Sequence, residues 1–225
     1  MKLKTPIIIV NFKAYKESTG KKALLLAQKI EKAAKKHRAN VAIAVQPTDI
    51  LLVSSHVKIP VLAQHIDIQG QGAATGKVTI EAIKLAGAVG TLINHSEYNV
   101  PSSHVGEVVR LCKKHKMTSV VCAPTSNMAA KLAHFKPDFI AVEPPELIGG
   151  SVSVTSANPK IISDTVKKVY SHARVNILCG AGVNKSEDVK TSLMLGTKGV
   201  LLASGVVKNK NPFGEMEDLI KGLKS

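Results

Sequence analysis

What most constrains this chain is a rhythm of eight short runs rich in β-branched residues, each followed by a stretch of helical character. The runs are Ile7–Asn11, Val41–Val45, Val61–Gln64, Thr91–Asn94, Ser119–Ala123, Phe139–Glu143, Asn176–Cys179 and Gly199–Leu202. They are nearly continuous in apolar residues, the mark of parallel strands buried on both faces.

The intervening stretches carry a helical period. In Lys21–His37, Ala23, Leu26, Ala27, Ile30, Ala33 and Ala34 form one face, while Lys22, Lys29, Lys32 and Lys36 form the other. Helices are also expected at Thr79–Ala86, Ser103–His115, Pro159–His172, Ser186–Leu195 and Phe213–Leu223, with short ones near Thr48–Val53 and Ser126–Ala133. Ser103 and Ser186 suit helix starts, and Gly196 suits the position after a helix end. Strands alternating with helices argue for a parallel sheet. Eight such units without a linker or composition break argue for one α/β domain over 1–225, closed into a (β/α)8 barrel. A doubly wound open sheet is the alternative on pattern alone.

Composition narrows the function classes. Apolar residues make up 44% of the 225 positions, but aromatics only 3% with no Trp, so the core must be aliphatic, as barrel interiors are. The formal charge of +15 comes almost wholly from Lys and would attract nucleic acid, anionic membrane or small phosphorylated substrates. A nucleic-acid face would concentrate Arg and aromatics; Arg occurs only as Arg38, Arg110 and Arg174. No apolar stretch approaches a membrane span, and Met1-Lys2-Leu3-Lys4 runs straight into the first strand, so no signal peptide is expected. Cys112, Cys122 and Cys179 lack metal-ligand spacing and are expected to be buried, reduced thiols of a cytoplasmic protein.

In a barrel, reacting groups gather where strands end and loops begin. Strand one is followed by Asn11-Phe12-Lys13, strand four by Asn94-His95-Ser96-Glu97 and strand six by Glu143-Pro144-Pro145. Strands seven and eight lead into Cys179-Gly180-Ala181-Gly182 and Ala203-Ser204-Gly205. A lysine, a histidine and a carboxylate thus share a rim with two small-residue turns whose backbone N–H groups can approach an anion. A carboxylate closing an apolar run is costly to bury without a purpose.

Read together, these segments resemble the triosephosphate isomerases, in their short archaeal form. The similarity covers the whole chain, running also through Ala63-Gln64-His65, Gly72-Ala73-Ala74-Thr75-Gly76, Ala141 to Gly149, Gly180-Ala181-Gly182-Val183 and Leu201 to Gly205. The resemblance implies a TIM barrel that interconverts D-glyceraldehyde 3-phosphate and dihydroxyacetone phosphate through an enediolate, with no metal or organic cofactor. It implies that Glu143 is the base, that neutral His95 polarises the carbonyl, and that Lys13, with Asn11, supplies fixed positive charge. Backbone near Ile148, Gly149, Gly182, Ala203 and Ser204 would hold the phosphate, and Pro144–Val152 would be the lid. Such chemistry needs a base tuned towards working pH and preorganised donors worth roughly 3–4 kcal/mol each. Two departures from the family pattern stand out: Tyr98-Asn99 follows His-Ser-Glu where a basic residue is usual, and Gly149-Gly150-Ser151 replaces the commoner Gly-Thr-Gly.

Other signals are weaker. Gly72 to Val78 is not a phosphate-binding P-loop, because its spacing is wrong and Val78 cannot ligate magnesium. Asn94-His95-Ser96 and Asn184-Lys185-Ser186 fit a glycosylation sequon that a cytoplasmic protein would not use. The alternatives are another phosphate-binding barrel, such as a sugar-phosphate epimerase, which would call for a second acid/base or a metal cluster, and a basic nucleic-acid-binding protein. The expected partners are a phosphorylated triose and further copies of the chain, not nucleic acid or membrane. The loop Ile66–Val78 is long for a compact barrel, and in the resembling family it inserts beside the partner's active site. A thinly covered wall between strands five and six, exposing Met128, Leu132 and Phe135, is expected to favour a tetramer over a dimer.

Overall fold

The computed structural model describes residues 2–144 and 159–224. The eight strands are β1 (Ile7–Asn11), β2 (Val41–Val45), β3 (Val61–Ala63), β4 (Gly90–Ile93), β5 (Thr118–Ala123), β6 (Phe139–Val142), β7 (Asn176–Cys179) and β8 (Gly199–Leu202). All neighbours pair in parallel, and β8 returns to β1 with Ile7 opposite Gly199 and Val10 opposite Leu202, closing the barrel. The open sheet is excluded.

Strand periodicity sorts side chains into two sets. Ile7, Ile9, Ala42, Ala44, Leu62, Leu92, Val120, Phe139, Ala141, Leu178 and Leu201 form one buried cluster, the filling of the barrel. Their neighbours Ile8, Val10, Ile43, Val45, Val121, Ile140, Val142 and Ile177 belong to the cluster that packs against the helices. Extending the inward series of period two beyond the filling leads to the rim. Ile7 and Ile9 lead to Asn11, Leu62 to Gln64, and Phe139 with Ala141 to Glu143. The polar rim is therefore the last layer of the barrel interior.

Among the described residues the helices are α1 (Lys21–His37), α2 (Ile50–Ser54), α3 (Ile80–Leu85), α4 (Ser102–His115), α5 (Ser126–Ala133), α6 (Pro159–Tyr170), α7 (Ser186–Met194), α8 (Ser204–Val207) and α9 (Pro212–Lys221). Helix α1 has the predicted limits and buries the predicted alanine, leucine and isoleucine face. Helix α8 had no periodic signal, being a single turn.

Three expectations need correction. Gln64, Asn94 and Glu143 are the first residues beyond their strands rather than the last within them; at Asn94 the backbone has already turned to φ +60°. Helix α7 begins at Ser186 as expected, but neither serine side chain caps its helix. Helix α4 begins after Pro101 with no side-chain cap, and the start of α7 is closed by Asp188, whose Oδ2 accepts the N–H groups of Asn184 and Lys185 at 3.0 and 3.0 Å. Finally, the wall between β5 and β6 is covered. Leu132 is buried, and Met128 and Phe135 are partly buried against the core. Phe135 lies so close to Gly106 of α4 that a Cβ there would be 2.7 Å from its ring. Eight residues of α5 suffice because α4 and α6 close in on them, with Ser126 and Thr165 hydroxyls 2.8 Å apart.

Candidate active site

Asn11 ends β1, and the chain then enters the left-handed region at Lys13, φ +49°. A lysine there costs conformational energy, so something must hold it. The Lys13 N–H donates to Asn11 Oδ1 at 3.0 Å, and the Gln64 amide donates to the Lys13 carbonyl at 3.0 Å and to Asn11 Oδ1 at 3.2 Å. Gln64 thus orients both residues from β3. The Lys13 ammonium, nearly buried, pairs with Glu97 Oε1 at 2.7 Å.

His95 follows β4 in the tight turn that Asn94 opens. Its Nδ1 accepts the backbone N–H of Glu97 at 3.2 Å. A backbone N–H can only donate, so Nδ1 carries no proton and the neutral ring carries its proton on Nε2. Burial first, and then the nearby Lys13 charge, push the imidazole below its usual pKa. Nε2 lies 3.7 Å from Glu143 Oε1. A neutral donor therefore stands beside a carboxylate, and both face the same cleft.

Glu143 is 4% exposed. Burial raises its pKa to about 7, against the opposing pull of a Cys122 hydrogen bond and of Lys13. It thus titrates where a general base works best. Space for it is made by Gly180, where a Cβ would sit 2.4 Å from Glu143 Cγ. The three cysteines are free and buried, as expected.

These groups line a narrow cleft whose far side is Gly180, Ala181, Gly182, Val183, Ala203, Ser204 and Gly205. Gly182 has φ +65°, and the carbonyl of Ala203 accepts from Val206 and Val207 as α8 begins. The first N–H groups of α8 have no partner within their own helix and stand at its positive end. Lysine, histidine, carboxylate and anion-friendly turns therefore meet as the sequence predicted. Ile148, Gly149 and the lid from 145 onward lie outside the described residues. Gln64, Asn94 and Cys122 had no assigned role in the sequence, and Gly180 was placed only in an anion-binding turn; Gln64 and Asn94 did carry a signal, each being a polar residue that closes an apolar run.

No group of three or more His, Cys, Asp or Glu among the described residues could hold a metal ion, and no described helix is long and apolar enough to cross a membrane.

Comparison with known proteins agrees with this geometry. The family model "Triosephosphate isomerase" matches residues 6–222. A triosephosphate isomerase of Methanothermus fervidus is 45% identical over 216 residues, covering 96% of this chain and 97% of that one. That of Methanocaldococcus jannaschii is 44% identical over 216 residues, covering 96% and 99%. The crystal structure of triosephosphate isomerase from Bartonella henselae superposes with a TM-score of 0.74 over 97% of each chain at 19% identity, a likeness of fold. The chain belongs to the triosephosphate isomerase family.

Proposed function

We infer that this chain interconverts D-glyceraldehyde 3-phosphate and dihydroxyacetone phosphate, as the names of its full-length relatives indicate. The observation that carries the reading for this chain's own residues is the facing pair of Glu143 and His95, 3.7 Å apart beside an anion-friendly turn. Glu143 takes a proton from the carbon next to the substrate carbonyl and returns it to the neighbouring carbon. The His95 Nε2–H donates to the carbonyl oxygen as it gains charge, gives that oxygen its proton and takes back the proton of the neighbouring hydroxyl, so that carbonyl and hydroxyl exchange places and the imidazole ends neutral. Lys13, held by Asn11 and Gln64, lowers the energy of the anionic substrate and of the enediolate. Backbone N–H groups at Gly182, Ala203 and Ser204 receive the phosphate. The family is itself a standard illustration of such pKa tuning and of loop closure. A coupled assay with dihydroxyacetone phosphate tests the reading; turnover is expected, and its absence in folded protein would overturn it.

The same reading places the enzyme in the cytoplasm, as one barrel over 1–225, and as a homo-oligomer. A second cleft, of about 240 Å³, opens on the other side of Lys13 between Gln46, Gln64, His65, Glu97 and Tyr98, where the 66–78 loop of a second copy can seat. Tyr98 in its lining is exposed, as is Ile68 within the 66–78 loop. The covered wall at Leu132 removes the apolar patch that favoured a tetramer, so a dimer is the minimum the surface calls for. Sedimentation at micromolar concentration decides it: a mass of one chain would refute the oligomer.

A further inference from the structure

We propose that Asn94 is a positioning residue for catalysis, a clamp that sets the His95 loop against the strand facing Glu143. The proposal rests on the isomerase reading above and adds a residue to it.

The loop from His95 to Val100 is tied to the segment after β1 at Glu97, whose carboxylate pairs with Lys13 at 2.7 Å, and is otherwise held by its own bonds. Within it the Tyr98 N–H bonds the His95 carbonyl at 2.8 Å, and the Asn99 amide bonds the Ser96 carbonyl at 3.0 Å. These bonds shape the turn but do not anchor it to the barrel. Tyr98 is 58% exposed, and its ring meets that of His65 edge-on, with centroids 4.6 Å apart.

The anchor towards β5 is the Asn94 side chain. Its Oδ1 accepts the N–H of Val100 at 3.0 Å, joining the far end of the loop to its start. Its Nδ2 donates to the carbonyl of Cys122 at 3.0 Å, joining both to β5. The side chain of Cys122 lies against the Glu143 carboxylate, so a single amide ties the loop bearing His95 to the strand that backs Glu143. Both amide atoms are used with the correct donor and acceptor sense, which neither a carboxylate nor an aliphatic side chain reproduces. The backbone contributes as well: φ +60° at Asn94 turns the chain so that His95 re-enters the cleft. Asn accepts this conformation more readily than most residues.

The donation of the Glu97 N–H to His95 Nδ1 depends on this turn. Loosening the clamp would free the imidazole both to move and to lose its fixed tautomer. A displacement of about 1 Å at such a site can cost on the order of 100-fold in rate.

The test compares Asn94→Gly with Asn99→Ala in the full-length enzyme. Glycine adopts φ +60° without strain, so the fold is retained and only the amide is lost. Asn94→Gly is expected to lower kcat for dihydroxyacetone phosphate by about 10- to 100-fold while KM changes less than threefold. Asn99→Ala, which removes a bond internal to the loop, should stay within about threefold of wild type in both. Nitrogen-15 spectra of labelled histidine, with His95 assigned by its loss in His95→Gln, should show a fixed Nε2–H form in wild type. In Asn94→Gly they should show a mixture of tautomers with a pKa nearer the ordinary histidine value. An Asn94→Gly enzyme with kcat within twofold of wild type would overturn the proposal. So would a reduced kcat with unaltered His95 signals, which would mark a merely structural residue. A wild-type enzyme with no turnover would instead overturn the isomerase reading.

Discussion

Replacing Glu143 by Gln should abolish activity and also make the protein less sensitive to alkaline pH. Burial raises the Glu143 pKa from 4.5 to about 7, so the folded protein holds this proton more tightly than the unfolded chain does. Below pH 4.5 both states are protonated and the group contributes no pH dependence. Between 4.5 and about 7 the unfolded chain ionises first, and each pH unit removes about 1.4 kcal/mol of stability. Above about 7 both states are ionised and the accumulated loss, roughly 3 kcal/mol, stays constant. Glutamine has nearly the same shape and cannot ionise, so Glu143→Gln removes this decline. Urea titrations of both proteins at pH 5 and pH 8, at one protein concentration so that any assembly contributes equally, would measure it. The stability of the variant relative to wild type should rise by about 2–3 kcal/mol between the two pH values. A difference that does not change with pH would show that Glu143 is not held protonated by burial, and the basis for its tuning would fail.

Other substitutions probe the rest of the site. His95→Ala should lower kcat by about 10²- to 10³-fold, as expected for loss of a preorganised donor, with little change in KM; a change confined to KM would make His95 a binding group. Gly180→Ala places a methyl 2.4 Å from Glu143 Cγ and should lower kcat on the order of tenfold or more by displacing the base; unchanged kcat would show that the base has room to shift. Gly182→Glu sets a carboxylate in a turn at φ +65° and should abolish competitive inhibition by inorganic phosphate, whereas retained inhibition would place the phosphate elsewhere.

The parts legible in the sequence were those determined by near neighbours in the chain. Eight buried strands betray themselves as apolar runs, and Glu143 stands out because it closes one of them at a point where a barrel interior meets its rim. Helix α1 could be bounded because its lysines and alanines keep period along seventeen residues. What failed depended on contacts across the fold. Phe135 looked exposed because nothing in its own segment shows that Gly106, on another helix, leaves a recess for its ring. Asn94 looked like the end of a strand, and only the three-dimensional neighbours Val100 and Cys122 give its amide a purpose. The resemblance to a family supplied roles for residues that periodicity could only bring to the same rim.

The most direct measurement follows the transferred proton itself. Dihydroxyacetone phosphate incubated with the enzyme in D2O, with product trapped and observed by proton NMR, should yield glyceraldehyde 3-phosphate bearing deuterium at C2. This requires one base to carry the proton between carbons and to exchange it with solvent before return. With Glu143→Gln, correctly folded by circular dichroism, neither product nor exchange into remaining substrate should be seen. Continued deuterium incorporation by that variant at a rate near wild type would show that another group removes the proton, and would contradict the assignment of Glu143 as the base.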